Sequence, residues 1–389
     1  MPEGPIARVL FISRNMPPLG GGLERLSWHL ADELQRRLRL ELVAPRGAAA
    51  LAPRGVVTAE ATLNPLPAFL AQAMLAALRL ARKSRPDVVL AGSGLMAPIA
   101  EAAARAAGAS AACYVHGLDI VVRNRIYQSL WLPSIRRMDR VIANSRYTAN
   151  LCEKAGVQAE RVAIVHPGVA LPCKPAPDRR SADAFRERHG LGRGPCLLSV
   201  GRLTARKGLR EFVASVLPRI AASHPGVRLL VAGGEAANAL HSERLSPAEL
   251  MRVAADAGVG PNLILLGRLD DEALDDAWAT AAVHVFPLRE IPGDPEGFGM
   301  VAVEAAARGV PTVAYAVGGV PDAVLDGTSG VLVPPGDAEG FARAVERAID
   351  DGFEPERMRA WAEGFGWRSF GDAVAAELSV AASRRDGTR

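Results

Sequence analysis

The sequence predicts an α/β protein of two Rossmann-like units, each a doubly wound parallel sheet. The chain has 389 residues, which is too long for one ordinary domain and fits two. Short runs rich in β-branched residues alternate with longer helical patterns, as parallel strands joined by crossover helices require. The alternation stops at a Pro-rich stretch, residues 171–180, and then starts again. This break predicts a linker between two units.

The first half contains six predicted strands and several helical patterns. The strands are at 8–13, 40–44, 88–91, 111–116, 140–143 and 162–166, and the helical patterns include 24–38, 68–82 and 96–107. The stretch 61–78 carries no charge, but it is interrupted by Asn64, Pro65, Pro67 and Gln72. We therefore predict an amphipathic helix there, ending in a basic cluster, and not a transmembrane span.

The second half repeats the alternation of predicted strands and helices without repeating the sequence. Strands are predicted at 197–200, 228–232, 263–266, 283–286, 312–315 and 330–333, and helices at 209–223, 247–257, 271–280, 299–308, 337–349 and 356–380. The expected organisation is a basic N-terminal domain over 1–172, a C-terminal domain over 173–355 and a final helical segment over 356–389. A ligand site is expected between two such sheets.

Charge is divided unevenly along the chain. Residues 1–175 carry 22 Lys and Arg against 12 Asp and Glu, a net charge of +10, and the remainder carries −6. A basic half suggests either an anionic partner, such as a membrane with acidic lipids, or only a solvated Arg-rich surface. Aromatic residues make up 5% of the chain and do not interleave with the basic ones, so nucleic acid is not an expected partner.

Cysteine usage indicates the compartment. Cys113, Cys152, Cys173 and Cys196 form no C-x-x-C pair, so neither a metal site nor a disulfide framework is indicated. The expected location is the cytosol, with peripheral contact at the inner face of the cytoplasmic membrane. No signal-peptide pattern is expected at the N-terminus.

Residues 294–322 contain the clearest cluster of candidate binding and catalytic residues. Glu296 and Glu304 lie eight positions apart around a Gly-Phe-Gly turn that is expected to open a helix. Glycines let backbone N–H groups approach an anion, and a helix N-terminus favours phosphate. Carboxylates in such a place suit the hydroxyls of a ribose or a sugar ring. A second Gly-rich turn at 317–322 makes the pattern more specific than either turn alone.

A third element is the segment 201–208, which follows a strand and precedes a helix. Arg202 and Lys207 are two cations that suit a diphosphate. Considered alone, they would more simply be solvated loop residues.

Together these residues resemble glycosyltransferase family 4, whose retaining enzymes have the GT-B fold of two Rossmann-like domains facing a central cleft. The pair Glu296 and Glu304 resembles the family's E-x7-E signature, and Arg202 with Lys207 resembles its diphosphate-binding cations. The segment 318–322 is similar to G-G-x-P-E, with Asp322 where Glu is usual.

The first half carries further parts of this resemblance, which extends over nearly the whole chain. Residues 17–24 resemble the family's Gly-rich first loop, and residues 114–119 resemble its H-G-x-D/E segment. The segments 143–145 and 165–168 are also typical. Residues 365–367 open what in the family is a helix crossing back to the N-terminal domain.

The resemblance implies a role for each site residue. The catalytic residues would be His116, Arg202, Lys207 and Glu296. The donor-binding residues would be Gly21, Gly22, Gly201, Arg202, Lys207, Arg268, Glu296, Gly297, Phe298, Gly299, Met300, Val301 and Glu304. The acceptor side would include Gly20, Asp119 and Asn144. Within this set, Glu304 would hold the ribose hydroxyls and Glu296 the donor sugar, while His116 would help to position that sugar.

The mechanism implied by the family is retention at the anomeric carbon by front-face attack, with no enzymic nucleophile. No cofactor and no metal ion are expected. The acidic pairs at 270–271 and 275–276 look superficially like metal ligands, but capping of a helix and solvation explain them better.

Other classes of protein remain as alternatives. A nicotinamide-dependent oxidoreductase would explain Gly-rich turns, but Arg25 occupies the third glycine position of its fingerprint and the other motifs would be left over. A GT-B epimerase or phosphorylase is a nearer enzyme class, and a non-catalytic nucleotide-sugar-binding protein is the alternative outside enzymes. Intact motifs in both halves disfavour that alternative.

The donor is indicated only by similarity. The acidic loop before Glu296 and the segments 144–148 and 165–168 resemble those of cell-envelope mannosyltransferases. GDP-mannose is therefore the expected donor and a UDP-hexose the alternative. The basic first half suggests a lipid-linked or glycan acceptor at an anionic membrane surface.

Overall fold

The computed structural model describes residues 8–122, 124–172, 179–234 and 245–386. The chain divides into two compact units, the first made of Met1–Gly168 and Phe365–Arg389 and the second of Val169–Gly364. The stretch predicted as a linker lies in part outside the described residues, which omit 173–178.

The first unit contains seven strands. They are β1 (Arg8–Ile12), β2 (Arg39–Pro45), β3 (Val57–Ala61), β4 (Val88–Ala91), β5 (Ser110–Val115), β6 (Arg140–Ala143) and β7 (Val162–Ile164). Its helices before the second unit are α1 (Gly22–Gln35), α2 (Leu66–Ser84), α3 (Ala97–Ala107), α4 (Leu118–Val121), α5 (Arg125–Arg136) and α6 (Arg146–Lys154). Strand β3 was not predicted from the sequence, because its five residues are mostly exposed or half-buried and do not form a run of apolar side chains.

All seven strands of the first sheet are parallel, in the order β3-β2-β1-β4-β5-β6-β7. The order reverses direction between β1 and β4, which are neighbours in the sheet but not in sequence. Doubly wound sheets bind ligands outside the carboxyl ends of the strands at such a switch point. Residues that follow β1, β4 and the adjacent β5 are thus well placed for binding.

The second unit contains a six-stranded sheet. Its strands are β8 (Cys196–Val200), β9 (Arg228–Ala232), β10 (Leu263–Gly267), β11 (Val283–Phe286), β12 (Thr312–Tyr315) and β13 (Gly330–Val333). Its helices are α7 (Arg179–Arg188), α8 (Leu209–Glu211), α9 (Leu217–Ser223), α10 (Pro247–Asp256), α11 (Asp271–Thr280), α12 (Met300–Ala307), α13 (Val320–Ala323), α14 (Ala338–Asp350) and α15 (Pro355–Ala362). A π-helical segment, Phe212–Val216, joins α8 to α9, so the single helix predicted at 209–223 is interrupted.

The second sheet is also parallel throughout, in the order β10-β9-β8-β11-β12-β13. Its switch point lies between β8 and β11. These two strands lead into residues 201–208 and 287–299, the segments in which sequence analysis placed most of the donor-binding residues. The two Rossmann-like units of the predicted fold class are confirmed.

The chain returns to the first unit through α16 (Trp367–Asp386). The single helix predicted at 356–380 is wrong, because a short 3-10 turn, Glu363–Phe365, separates α15 from α16. The two helices pack in different units: α15 lies against α12, and α16 lies against α1. Residues 356–364 therefore belong to the second unit.

Apolar side chains cover both faces of the first sheet. On one face, strand residues such as Leu10 and Ile12 pack with Phe69 of α2 and Ile135 of α5. On the other face, α1 is joined by Phe370, Val374 and Leu378 of α16. A sheet buried on both faces must be close to continuously apolar in sequence, which explains why most of its strands were found there.

Helix α2 extends the amphipathic helix expected at 68–82 by two residues at each end. Among the helices that the structure describes, none is both long enough and apolar enough to pass through a lipid bilayer.

Candidate active site

The loop after β8 is held tightly against the exit of β11. Gly208 has φ +67°, and a Cβ atom there would lie 1.8 Å from the carbonyl oxygen of Pro287. Only glycine fits this backbone conformation and this close approach. The close approach fixes the short 3-10 turn Ala205–Lys207 beside the segment that leads to Glu296.

Two cations of that turn converge on Glu296. Lys207 Nζ donates to Glu296 Oε2 at 2.8 Å, and Arg206 Nη1 donates to the same oxygen. Arg206 Nε also lies 3.4 Å from Asp294 Oδ1. The Lys207 ammonium lies 4.6 Å from the ring centroid of Phe286, a cation–π contact. The four charged side chains form a compact group, which we call the Glu296 cluster: Arg206, Lys207, Asp294 and Glu296.

The charges of this cluster compensate each other. Burial alone would raise the pKa of Glu296, but the positive charges of Arg206 and Lys207 outweigh burial and lower it to about 2. Burial lowers the pKa of Lys207, with a further contribution from Arg206 and Arg202, and Glu296 opposes the shift. Glu296 is therefore ionised at neutral pH and held by two donors.

The two Gly-rich turns predicted at 297–299 and 317–322 pack directly on each other. Gly319 N donates to the carbonyl oxygen of Glu296 at 2.9 Å. A Cβ atom on Gly318 would lie 2.4 Å from the same oxygen, and one on Gly319 would lie 2.0 Å from that of Gly297. Their spacing in sequence thus reflects a contact between the two turns that holds the main chain at Glu296 and Gly297.

Helix α12 begins directly after this contact. Gly299 precedes it with φ +99°, so its backbone conformation favours glycine. Phe298 is buried, while Met300, Val301 and Glu304 are half-buried on α12. The predicted donor residues from Glu296 to Val301, together with Glu304, thus lie on one continuous loop and helix start, and the N–H groups of the first helical turn have no partner within the helix.

The remaining predicted residues of this unit lie around the cluster. Arg202 is exposed, and its charge is close enough to lower the pKa of Lys207. Gly201 lies next to Lys207, since a Cβ atom there would be 3.4 Å from Lys207 Cε. Arg268 is exposed, and its stem lies against Gly234.

Sequence analysis missed Arg206 and Asp294. Arg206 is 8% exposed, although the neighbouring loop cations were expected to be solvated or donor-facing. Its only signal was its place beside Lys207 in a loop with two further basic residues. Burial of an arginine requires compensating acids, and here they come from positions about ninety residues later.

A buried histidine lies behind the cluster. His284 of β11 is fully buried, and its Nδ1 lies 3.0 Å from Thr312 Oγ1. Burial lowers its pKa to about 3, and the charge of Lys207 contributes in the same direction. A neutral imidazole next to Lys207 adds no positive charge to the cluster.

In the first unit, His116 follows β5 directly. Its Nε2 lies 3.0 Å from the carbonyl oxygen of Gly92, which follows β4, and its backbone N–H donates to Asp119 Oδ2 at 2.9 Å. Burial raises the pKa of Asp119, while the His116 side chain and the N–H groups of His116 and Gly94 oppose this shift. His116 Nδ1 is buried and has no hydrogen-bond partner among the described residues.

Asn144 lies at the equivalent position after β6. Its backbone N–H donates to the carbonyl oxygen of Val115 at 3.2 Å, and its own carbonyl oxygen lies 3.2 Å from His166 Nδ1. Asn144 Oδ1 is buried without a partner among the residues described. Unsatisfied buried polar atoms are costly and uncommon, so His116 Nδ1 and Asn144 Oδ1 each have hydrogen-bonding capacity that the described residues do not use.

The Gly-rich first loop lies at the start of α1. Gly20, Gly21 and Gly22 are exposed, and Gly21 precedes the helix. Glu24 lies in the first turn of α1, as expected, and accepts a hydrogen bond from Asn15 Nδ2 at 2.8 Å. Of the residues predicted in the first unit, His116 and Asn144 directly follow strands, Gly20 to Gly22 lie between β1 and α1 or at the start of α1, and Asp119 lies in α4 after β5.

One residue of each acidic pair at 270–271 and 275–276 has a structural role. Asp270 caps the helix by accepting from Ala273 N at 2.9 Å, and Asp275 pairs with Arg308 at 2.7 Å. Within the described parts of the chain, no group of three or more His, Cys, Asp or Glu side chains is arranged to hold a metal ion.

Two family models match the chain. The Glycosyltransferase Family 4 model matches residues 20–171, and the Glycosyl transferases group 1 model matches residues 194–351. The chain belongs to glycosyltransferase family 4, group 1. It is thus a member of a family of transferase enzymes, as its motifs predicted.

Several curated proteins with named activities are similar to this family 4 glycosyltransferase. A GDP-mannose-dependent alpha-(1-6)-phosphatidylinositol monomannoside mannosyltransferase of Mycolicibacterium smegmatis is 29% identical, over 95% of this chain and 98% of the relative. D-inositol 3-phosphate glycosyltransferases of M. smegmatis and Catenulispora acidiphila are each 36% identical, over 63% and 66% of this chain. The chain spans only 54% and 60% of the length of these last two.

Solved structures share the fold. The Anabaena protein HepE in complex with UDP superposes with a TM-score of 0.79 at 19% identity, over 96% of this chain and all of that one. Sucrose-phosphate synthase from Thermosynechococcus elongatus gives a TM-score of 0.74 at 21% identity, over 95% of this chain and 98% of that one. At these identities the likeness shows the fold, which is the predicted GT-B architecture of two Rossmann-like domains.

Proposed function

We propose that this family 4 glycosyltransferase transfers a hexose, mannose from GDP-mannose, with retention of configuration to a hydroxyl of a lipid-linked or glycan acceptor. The observation that carries the proposal is the Glu296 cluster at the switch point of the second sheet. There two cations of one turn and a carboxylate meet beside the first turn of α12. Such a site suits a pyrophosphate and the hydroxyls attached to it.

The reaction needs three groups from this unit. The bond between the anomeric carbon and the diphosphate oxygen breaks, and the acceptor oxygen bonds to the same face of that carbon. The acceptor proton passes to an oxygen of the departing phosphate. Lys207 and Arg202 stabilise the charge that develops on the diphosphate, while Glu296 accepts hydrogen bonds from the hydroxyls of the donor sugar. No metal ion or other cofactor takes part.

The first unit supplies the neutral polar groups. His116 Nδ1 and Asn144 Oδ1 are buried and lack partners among the described residues, so each has hydrogen-bonding capacity to offer a ligand. We assign His116 to the donor sugar, and Asn144 with Asp119 and Gly20 to the acceptor. Gly21 and Gly22 let the backbone approach the donor phosphates.

The choice of GDP-mannose is supported by the mycobacterial mannosyltransferase, which aligns over almost its whole length. A UDP-hexose is the second candidate, because structures of the same fold hold UDP and UDP-glucose. A calorimetric titration with GDP, UDP, GDP-mannose and UDP-glucose separates the two. Tighter binding of GDP than UDP supports the first donor, tighter binding of UDP supports the second, and binding of neither would overturn the proposal.

Glu304 provides a sharper test of the nucleotide site. If its carboxylate holds the ribose hydroxyls, Glu304→Ala weakens binding of the preferred nucleotide by roughly 10- to 100-fold, because buried hydroxyls lose a charged partner. Glu339→Ala is the matched control, since Glu339 lies exposed on α14. Unchanged affinity in Glu304→Ala would show that the ribose lies elsewhere.

We further propose that one helix layer of the first unit contacts the anionic membrane surface that presents the acceptor. Helices α2, α3 and α5 cover the same face of the sheet. Their single acidic residue, Glu101, is buried and paired with Arg105 and Arg137. The layer exposes apolar side chains at Leu75, Ile126 and Leu130, and basic ones at Arg79, Arg82, Lys83, Arg105, Arg125 and Arg136.

Exposed apolar side chains among basic ones fit a bilayer of acidic lipids. Flotation with phosphatidylglycerol vesicles should recover the protein, and added salt should reduce the recovery. Replacing Arg79, Arg82 and Lys83 together by Ala should weaken binding by about 100-fold, since each basic residue contributes about 1 kcal/mol. Replacing Arg252, Arg343 and Arg357 of the second unit is the control. Equal recovery with phosphatidylcholine vesicles, or no effect of the triple variant, would overturn the assignment.

A further inference from the structure

Glu296 has an unusual pair of partners, because both cations donate to the same carboxylate oxygen. Lys207 Nζ and the Arg206 guanidinium meet at Oε2. In the proposed reaction, Lys207 must bind the donor diphosphate. Its ammonium has three N–H donors and directs one of them to Glu296 in the arrangement seen here, and a Lys207 charge neutralised by Glu296 attracts the diphosphate less strongly than one released from it.

The two cations differ in how firmly they are held. Arg206 donates to Glu296, its Nε lies 3.4 Å from Asp294, and its carbonyl oxygen accepts from Arg289 N at 2.9 Å. Lys207 has Glu296 as its carboxylate partner, and its ammonium otherwise lies against the ring of Phe286. A lysine ammonium on a four-carbon stem turns easily, whereas a guanidinium held at both ends does not.

We propose that Arg206 is a positioning residue, the fixed counter-ion that keeps the Glu296 carboxylate in place while Lys207 turns from Glu296 to the diphosphate of the donor. The inference rests on the proposed function. Arg206 acts on the reaction through Glu296 and Lys207, and has no contact with the donor itself.

The surroundings of Glu296 support this division of roles. Its charged neighbours are Arg206 and Lys207, with Asp294 on the far side of Arg206, while the charge of Arg202 acts on Lys207 and the charge of Lys207 acts on the neutral His284. Without Arg206, Lys207 is the cation left on Glu296 among the residues that the structure describes. The carboxylate then retains Lys207, and the diphosphate loses a cation.

The first test measures the affinity for a nucleoside diphosphate relative to its monophosphate, using GDP with GMP and UDP with UMP in calorimetry. Arg206→Met should reduce the preference for the diphosphate by about tenfold, the effect of one charge-assisted hydrogen bond. Affinity for the monophosphate should hardly change. Arg210→Met is the matched control, because Arg210 lies four residues away and pairs with Glu249 at the surface.

The second test adds Glu296→Gln. Removing the carboxylate leaves Lys207 free, so the double variant Arg206→Met with Glu296→Gln should regain most of the diphosphate preference that Arg206→Met lost. An arginine that contacts the phosphates itself would give no such rescue, and the losses would remain. Absence of rescue therefore overturns the inference.

The third test uses pH. Loss of Arg206 removes one of two charges that keep the pKa of Glu296 low, so the acidic limb of kcat/KM should move upward in Arg206→Met. Arg206→Lys keeps the charge and should restore the position of the limb at least in part. An unmoved limb in Arg206→Met would contradict the inference, and a merely structural role would lower the rate at every pH alike.

These outcomes separate the inference from the proposed function. If the wild-type protein binds neither nucleoside diphosphate, the proposed function fails. If it binds one, and Arg206→Met keeps the full diphosphate preference, only the role of Arg206 fails. If Arg206→Met does not fold, Arg206→Lys is compared with the wild type instead. An unchanged diphosphate preference and an unchanged acidic limb of kcat/KM support the role of Arg206 as a fixed counter-ion. A loss of the diphosphate preference as large as that of Lys207→Met overturns this role.

Discussion

The carboxyl ends of the two sheets carry polar residues of different kinds. In the second unit, the Glu296 cluster is made of full charges that already pair with one another. In the first unit, His116 and Asn144 bring neutral groups, and each leaves one buried atom without a partner among the described residues. The charged groups of the second unit can exchange partners when an anion binds. The neutral groups of the first unit can only gain partners.

The difference follows from what each kind of group costs when buried. An unpaired buried charge is far more expensive than an unpaired amide or imidazole. The charges of the Glu296 cluster therefore have to be paired with one another before a ligand binds, whereas the neutral groups of the first unit can lack hydrogen-bond partners until then. We expect variants in the second unit to change both the binding of the diphosphate and turnover, and variants in the first unit to change the rate of transfer alone.

The largest expected effect comes from Lys207→Met. Removing the ammonium should reduce turnover by about 100- to 1000-fold, as loss of a group that stabilises developing charge does elsewhere. Arg219→Met is the control, because Arg219 is exposed on α9. Steady-state rates with the preferred nucleotide sugar provide the measurement. A loss of less than tenfold would mean that the charged cluster is not the phosphate site.

His116→Ala tests the neutral side. We expect kcat to fall by about 10- to 100-fold, the usual contribution of one positioned polar side chain, while the affinity for the nucleoside diphosphate stays within about twofold. His116→Asn should retain more activity, since its amide can still reach towards the Gly92 carbonyl oxygen. A parallel loss of diphosphate affinity would remove the contrast between the two units.

Gly208→Ala tests the backbone contact beneath the charged cluster. A methyl group there meets the Pro287 carbonyl oxygen and occupies a left-handed conformation, so we expect a loss of about 2 kcal/mol or more of unfolding free energy. Gly258→Ala is the matched control, because Gly258 has φ +72° and open space around its Cα. It should cost about 1 kcal/mol. Melting temperatures provide the comparison, and equal shifts would show that the contact is not tight.

The smallest expected effect is on stability in acid. Because the folded-state pKa of Glu296 is lowered to about 2, its carboxylate stabilises the fold above pH 4.5, and this stabilisation is lost as the pH falls through about 2. Glu296→Gln removes that dependence. Urea unfolding between pH 5 and pH 2.5 should therefore show wild-type stability falling more steeply than that of the variant. Parallel curves would contradict the pairing.

Much of the fold could be predicted because the strands are buried on both faces. Strands β4, β6, β9, β11, β12 and β13 were placed at their observed bounds. Failures occurred where burial is weak or where packing overrides propensity. Strand β3 is mostly exposed or half-buried, and the break between α15 and α16 separates two helices that pack in different units.

The sequence by itself determined the family, the parallel two-unit fold, and the turns that carry Lys207, Glu296 and His116, because glycine spacing and strand burial are local properties. Only the tertiary structure decided which loop cation lies inside. Arg202 and Arg206 look equivalent in sequence, yet Arg206 is buried against Glu296 and Asp294 while Arg202 is exposed. The reason is that burying a guanidinium requires compensating acids. Asp294 and Glu296 are these acids, and the segment after β11 that carries them is held beside Arg206 by the close approach of Gly208 to Pro287.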